Sequence, residues 1–123
     1  MDHRVLKVLS MLEDNLRRSI SLEEMARHVN LTPEHLCRLF KAEMGGPPAK
    51  HLKSLRLQAA KSLLETTCLR VKEVMSAVGI NDESHFVRDF EAAYGLPPAK
   101  YRTLLLSADL MQKSAAAHEI KNG

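Results

Sequence analysis

Arg38 and Arg88 stand fifty positions apart, and each follows a histidine, His35 or His85, by three residues. A guanidinium is a planar fork of donors that can pair bidentately with guanine O6 and N7 or grip a phosphate. Glu34, one helical turn before Arg38, can accept from a cytosine amino group. Metal chemistry at the same place is the poorer reading. Cys37 and His35 offer only two ligands, two positions apart, and the second occurrence has Val87 where the first has the cysteine. No Ser-His-Asp set, phosphate loop or pair of facing carboxylates stands out, so catalysis is not expected and no cofactor is implied. His3, His28, His51 and His118 are scattered and read as surface residues.

The two arginines belong to an internal repeat. Residues 32–50 laid over 82–100 match at nine of nineteen positions without a gap: His35, Arg38, Phe40, Ala42, Gly45, Pro47, Pro48, Ala49 and Lys50 recur fifty residues on. Upstream the offset is 49, pairing Val29 with Val78 and Leu31 with Ile80, so one residue is gained near Asn81. Four of the five prolines fall in the repeated GGPPAK (45–50) and GLPPAK (95–100), which read as the joint behind each second helix.

Each copy reads as helix, short turn, helix. In the first, Ser21-Leu-Glu-Glu24 is a capping box, and Leu22, Met25, Ala26 and Val29 recur at helical spacing. Asn30 suits a left-handed turn, Thr32 caps the next helix with Pro33 at its first position, and Gly45 ends it. In the second, Val71, Val74, Met75 and Val78 lead to a turn at Gly79, Asp82 caps, Phe86 and Phe90 face inward, and Gly95 stops the helix. A stripe of Val5, Leu9, Leu12 and Leu16 makes an opening helix. Leu52, Leu55, Ala59, Leu63 and Leu64 make a longer one over roughly 48–65, and Tyr101, Leu104 and Leu105 lie on a last one from about Pro98. Beyond Ser107 the chain reads as a fraying tail. The fold class is therefore all-α: seven helices, two helix-turn-helix subdomains joined by a long linker helix. The expected divisions are 1–47, 48–65, 66–106 and the tail 107–123.

Composition agrees. Aromatic residues are 4% with no Trp against 45% hydrophobic, so the core is built from Leu, Val, Met and Ala. No apolar run approaches a membrane span of about 20 residues, nothing at Met1 resembles a signal peptide, and two cysteines suit a reduced cytoplasmic setting. The net charge is +3, and its distribution is uneven. Residues 1–69 hold 11 Lys/Arg against 8 Asp/Glu, while 70–106 hold 5 against 5 and 107–123 hold 2 against 2. The excess that would attract an anionic partner lies in the first half.

The stretch Arg56-Leu-Gln-Ala-Ala-Lys-Ser-Leu-Leu64, then Val78-Gly79, Ser84-His-Phe-Val-Arg88 with Phe90, and Gly95, Pro98 and Tyr101-Arg102 resembles the AraC/XylS family of bacterial transcription regulators. The resemblance covers about residues 4–106. It implies sequence-specific binding of double-stranded DNA at an asymmetric site, with recognition helices (about 32–44 and 82–94) in successive major grooves. Carried over residue by residue, it implies base contacts by Glu34, Cys37 and Arg38 and by Glu83, Ser84, Val87 and Arg88. Phosphate contacts would come from Thr32, Lys41, Arg56, Asp82 and Lys100. Arg56, between Leu55 and Leu57, equally suits hydrogen bonds within the fold. RNA polymerase is an implied partner, as is an N-terminal sensor or dimerisation domain outside this chain; a membrane is not. Three departures from the family pattern stand out. Met75 replaces a small residue and would loosen the second unit, Ile80 replaces Phe, and Glu91 replaces a basic residue with Asp89 close by. These carboxylates would oppose phosphate, and they support a rival reading as a helical protein-interaction module with lost DNA binding.

Overall fold

The computed structural model describes the backbone of residues 1–122 and the side chains of residues 1–110. Seven helices follow one another: α1 (His3–Asp14), α2 (Leu22–His28), α3 (Pro33–Met44), α4 (Pro48–Thr66), α5 (Val71–Val78), α6 (Glu83–Tyr94) and α7 (Pro98–Asn122). Among the described residues there is no strand, and no helix is long and apolar enough to cross a membrane.

Two cores sit side by side. Val5, Val8 and Leu12 of α1 pack with Ile20, Met25, Ala26, Val29, Leu36, Phe40 and Leu52. Leu57, Ala60 and Leu64 pack with Val74, Met75, Val78, Phe86 and Phe90. The linker helix α4 is therefore built into both cores. Its buried positions move from Pro48 and Leu52 to Leu57, Ala60 and Leu64. At 3.6 residues per turn Leu57 stands about 140° round the helix from Leu52. That is why one stripe through Leu55, Ala59 and Leu63 misjudges this helix: those three are only partly buried. Met75 is buried where Ala26 is in the first unit, at 5% exposed against 1%.

The helix ends are built from local hydrogen bonds. Thr32 Oγ1 accepts from the His35 amide at 3.1 Å, and Asp82 Oδ1 from the His85 amide at 2.9 Å. Each satisfies an amide that the first turn leaves without a partner. The box at Ser21 forms by half. Ser21 Oγ accepts from the Glu24 amide at 3.1 Å, but the Glu24 carboxylate pairs with Arg18 instead of reaching back. The α2–α3 and α5–α6 turns share one design. Asn30 takes φ 57° and Gly79 φ 81°, and the following amides, of Leu31 and Ile80, return to Ala26 O and Met75 O at 2.9 and 2.8 Å. The helix α7 runs on through the expected tail to Asn122, because the sequence from Ser107 to that point holds helix formers and neither Gly nor Pro. Gly123 lies outside the described residues.

Candidate nucleic-acid interface

The helices α3 and α6 are the second members of the two units. Each buries one stripe, Leu36 and Phe40 in α3, Phe86 and Phe90 in α6, and so turns its opposite face to solvent. On α3 that face holds Glu34, Arg38 and Lys41, all exposed. On α6 it holds Glu83, Ser84 and Arg88, also exposed. Among the described residues neither Arg38 nor Arg88 has an ion-pair partner. Two guanidinium forks thus stand at equivalent places in solvent, free to take a planar acceptor pair. Cys37 and Val87 are half-buried. Cys37 lines a cavity of about 170 Å³ behind α3 with Leu12, Met25 and Leu52, so its thiol is partly committed to apolar surroundings.

The two helix starts differ in charge. At α3 the cap is the neutral Thr32 hydroxyl, leaving the positive end of the helix open to an anion. At α6 the cap is a carboxylate. The hydrogen bonds from the His85 amide and then the His85 ring hold Asp82 below the usual carboxylate range, and His85 Nδ1 lies 2.9 Å from Asp82 Oδ2. An anion already occupies that end, so it is the less favourable of the two for a phosphate. Lys100 is exposed on the first turn of α7, as Lys50 is on the first turn of α4.

Arg56 makes hydrogen bonds within the fold. Its Nε donates to Leu16 O at 2.8 Å and a terminal nitrogen to Arg18 O at 3.4 Å, and burial draws its guanidinium below its usual pKa. Between the two roles open to it, the hydrogen-bonding one within the fold is formed. Arg102 does the same for the second unit, donating to the carbonyls of Leu64, Thr67 and Leu69. Sequence reasoning did not see this role for Arg102, since the accepting carbonyls carry no side-chain signal. It also missed Lys53, whose Nζ lies 3.1 Å from Asp89 Oδ1. Asp89 therefore carries a partly compensated charge, whereas Glu91 is exposed.

A family model described as a helix-turn-helix domain matches residues 25–104. The chain is 31% identical over 99 residues to the HTH-type transcriptional regulator GbdR of Pseudomonas aeruginosa, covering 80% of this chain and 27% of that protein. It is 32% identical over 103 residues to the arabinose operon regulatory protein of Escherichia coli, covering 83% and 35%. It is 30% identical over 98 residues to the HTH-type transcriptional activator AarP of Providencia stuartii, covering 80% and 73%. The chain thus spans about a quarter to a third of the first two relatives. A solved transcriptional regulator from Chromobacterium violaceum, with an AraC-type DNA-binding domain, superposes with a TM-score of 0.76 at 27% identity, covering 81% of this chain and 89% of that one. The DNA-binding domain of AdpA, solved with a target DNA, shares the fold with a TM-score of 0.80 at 23% identity, covering 87% and 96%. Two linked helix-turn-helix units, the family match over most of the chain and these likenesses together establish that the chain belongs to the AraC/XylS family of helix-turn-helix regulators.

Proposed function

We propose that this chain is a sequence-specific DNA-binding module of a bacterial transcription regulator, with α3 and α6 entering successive major grooves on one face of the duplex. The observation that carries the reading is the pair Arg38 and Arg88, exposed at equivalent places on the two second helices and without ion-pair partners among the described residues. Facing arginines of this kind read guanine edges, and grooves on one face recur about 34 Å apart. Glu34, Glu83 and Ser84 join them as base contacts, with Cys37 and Val87 at the margin. Lys41, Lys100 and Arg56 are the phosphate contacts, with the amides at the helix starts near Thr32 and, more weakly, near Asp82. The first unit binds more strongly, because α3 has a neutral cap and carries Lys41 where α6 has Glu91. RNA polymerase and a sensor or dimerisation domain N-terminal to this region are the further partners of the whole regulator, which acts in the cytoplasm on the nucleoid.

Selecting bound sites from random duplex DNA tests the proposal. The Arg38→Ala variant is expected to weaken binding to the selected site by about 1–3 kcal/mol and to relax preference at one base pair. The same change at Arg88 is expected to cost less. An Arg38 variant with unchanged sequence preference would overturn its role. Affinity must also fall steeply with salt as counterions are released. A chain that retards no duplex even at low salt would favour the protein-interaction reading.

A further inference from the structure

The junction between the two units has features that recognition alone does not use. Leu52 is buried in the first core, and its neighbour Lys53 reaches across to Asp89 on α6 of the second. Thirty-six residues separate the partners, so the pair depends on where α6 lies relative to the first half of α4. A second tie sits close by. A Cβ placed on Gly79 would lie 2.7 Å from Leu16 O and 2.7 Å from Arg17 Cα, and Leu16 O is the same carbonyl that Arg56 holds at 2.8 Å. Lys53, Arg56, Gly79 and Asp89 border one cleft of about 400 Å³ between the units.

We propose that Lys53 and Asp89 are positioning residues that set the spacing of the two recognition helices, and with it the spacing of base contacts the DNA must present. The inference rests on the DNA-binding reading above. The helix α4, shared by both cores, and the close approach at Gly79 set the placement of the units. The ion pair adds a direct tie between the first half of α4 and the second recognition helix. Asp89, which on an exposed recognition helix would only repel phosphate, thereby becomes a determinant of geometry. Each added base pair turns the second contact block by about 35° and moves it about 3.4 Å along the axis. A clamped protein discriminates against that shift, and an unclamped one follows it.

The test uses the whole chain and duplexes carrying its selected site with the two contact blocks at the selected spacing, or one base pair closer or farther. The measured quantity is the ratio of affinities between spacings, in which a uniform change in charge attraction cancels. For Asp89→Asn and for Lys53→Met the ratio is expected to fall about threefold, the size of one partly exposed ion pair. The exchanged pair Lys53→Asp with Asp89→Lys is expected to recover it. With side chains 58% and 30% exposed, these changes leave both cores in place. Ratios unchanged in both single variants, or an exchanged pair that behaves like the single variants, overturn the proposal while leaving DNA binding intact. Wild-type protein that binds no duplex overturns the DNA-binding reading itself.

Discussion

Replacing Gly79 by Ala separates two costs that usually arrive together. Three glycines end helices in the left-handed region: Gly45 at φ 83°, Gly79 at φ 81° and Gly95 at φ 88°. An L-residue there costs about 1–2 kcal/mol from its own Cβ. At Gly45 and Gly95 the added Cβ meets nothing within 4 Å, so backbone strain is the whole effect. At Gly79 the new carbon would lie 2.7 Å from both Leu16 O and Arg17 Cα. Those are backbone atoms, so no side-chain rotation relieves the overlap. Forcing the α1–α2 loop away adds an overpacking cost of about 1–3 kcal/mol. Gly79→Ala should therefore destabilise by about 2–5 kcal/mol, against about 1–2 for Gly45→Ala and Gly95→Ala. Urea unfolding followed by far-ultraviolet circular dichroism measures the three side by side. Because Asn tolerates the left-handed region, Gly79→Asn should lose most of the strain and keep the overlap. If Gly79→Ala falls within about 0.5 kcal/mol of the two controls, the close approach of the units at this turn is wrong.

Two further outcomes follow from the same contacts. Arg56→Ala removes donors from Leu16 O and Arg18 O, and is expected to lower stability by about 1–2 kcal/mol. The salt slope of DNA binding should fall by about one; an unchanged slope would remove the phosphate role of Arg56. Tyr101 is pushed up to about 12 by burial and by its hydrogen bond to Glu65, above the value of about 10 in an unfolded chain. The folded state then holds the phenolic proton more tightly. This contribution is intact below about pH 10 and is lost as pH rises towards 12. Stability measured between pH 9 and 11.5 should fall less steeply in Tyr101→Phe than in the wild type, and equal slopes would contradict the assignment.

The turns show how far local reading reaches. Asn30 and Gly79 occupy equivalent places, and both were legible as turn residues because each meets the left-handed backbone in its own way. Why one copy can carry Asn while the other has Gly was not legible. The answer lies in Leu16 and Arg17, more than sixty residues away. The candidate interface divides likewise. The outward placement of Glu34, Arg38, Glu83, Ser84 and Arg88 follows from the stripes of Leu36, Phe40, Phe86 and Phe90 on the same helices. The engagement of Arg56 and Asp89 depends on partners in other elements.

By itself the sequence determined the repeat, the helix types, the caps at Thr32 and Asp82, and the faces that carry the two arginines. Each of these rests on interactions between residues a few positions apart, whose identities are written next to one another. Tertiary structure alone decided that α4 serves two cores on different faces, that Arg56 and Arg102 hold carbonyls, and that Lys53 meets Asp89. Backbone carbonyls accept a hydrogen bond whatever their side chain, and an ion pair 36 residues apart exists only after packing has brought two helices together.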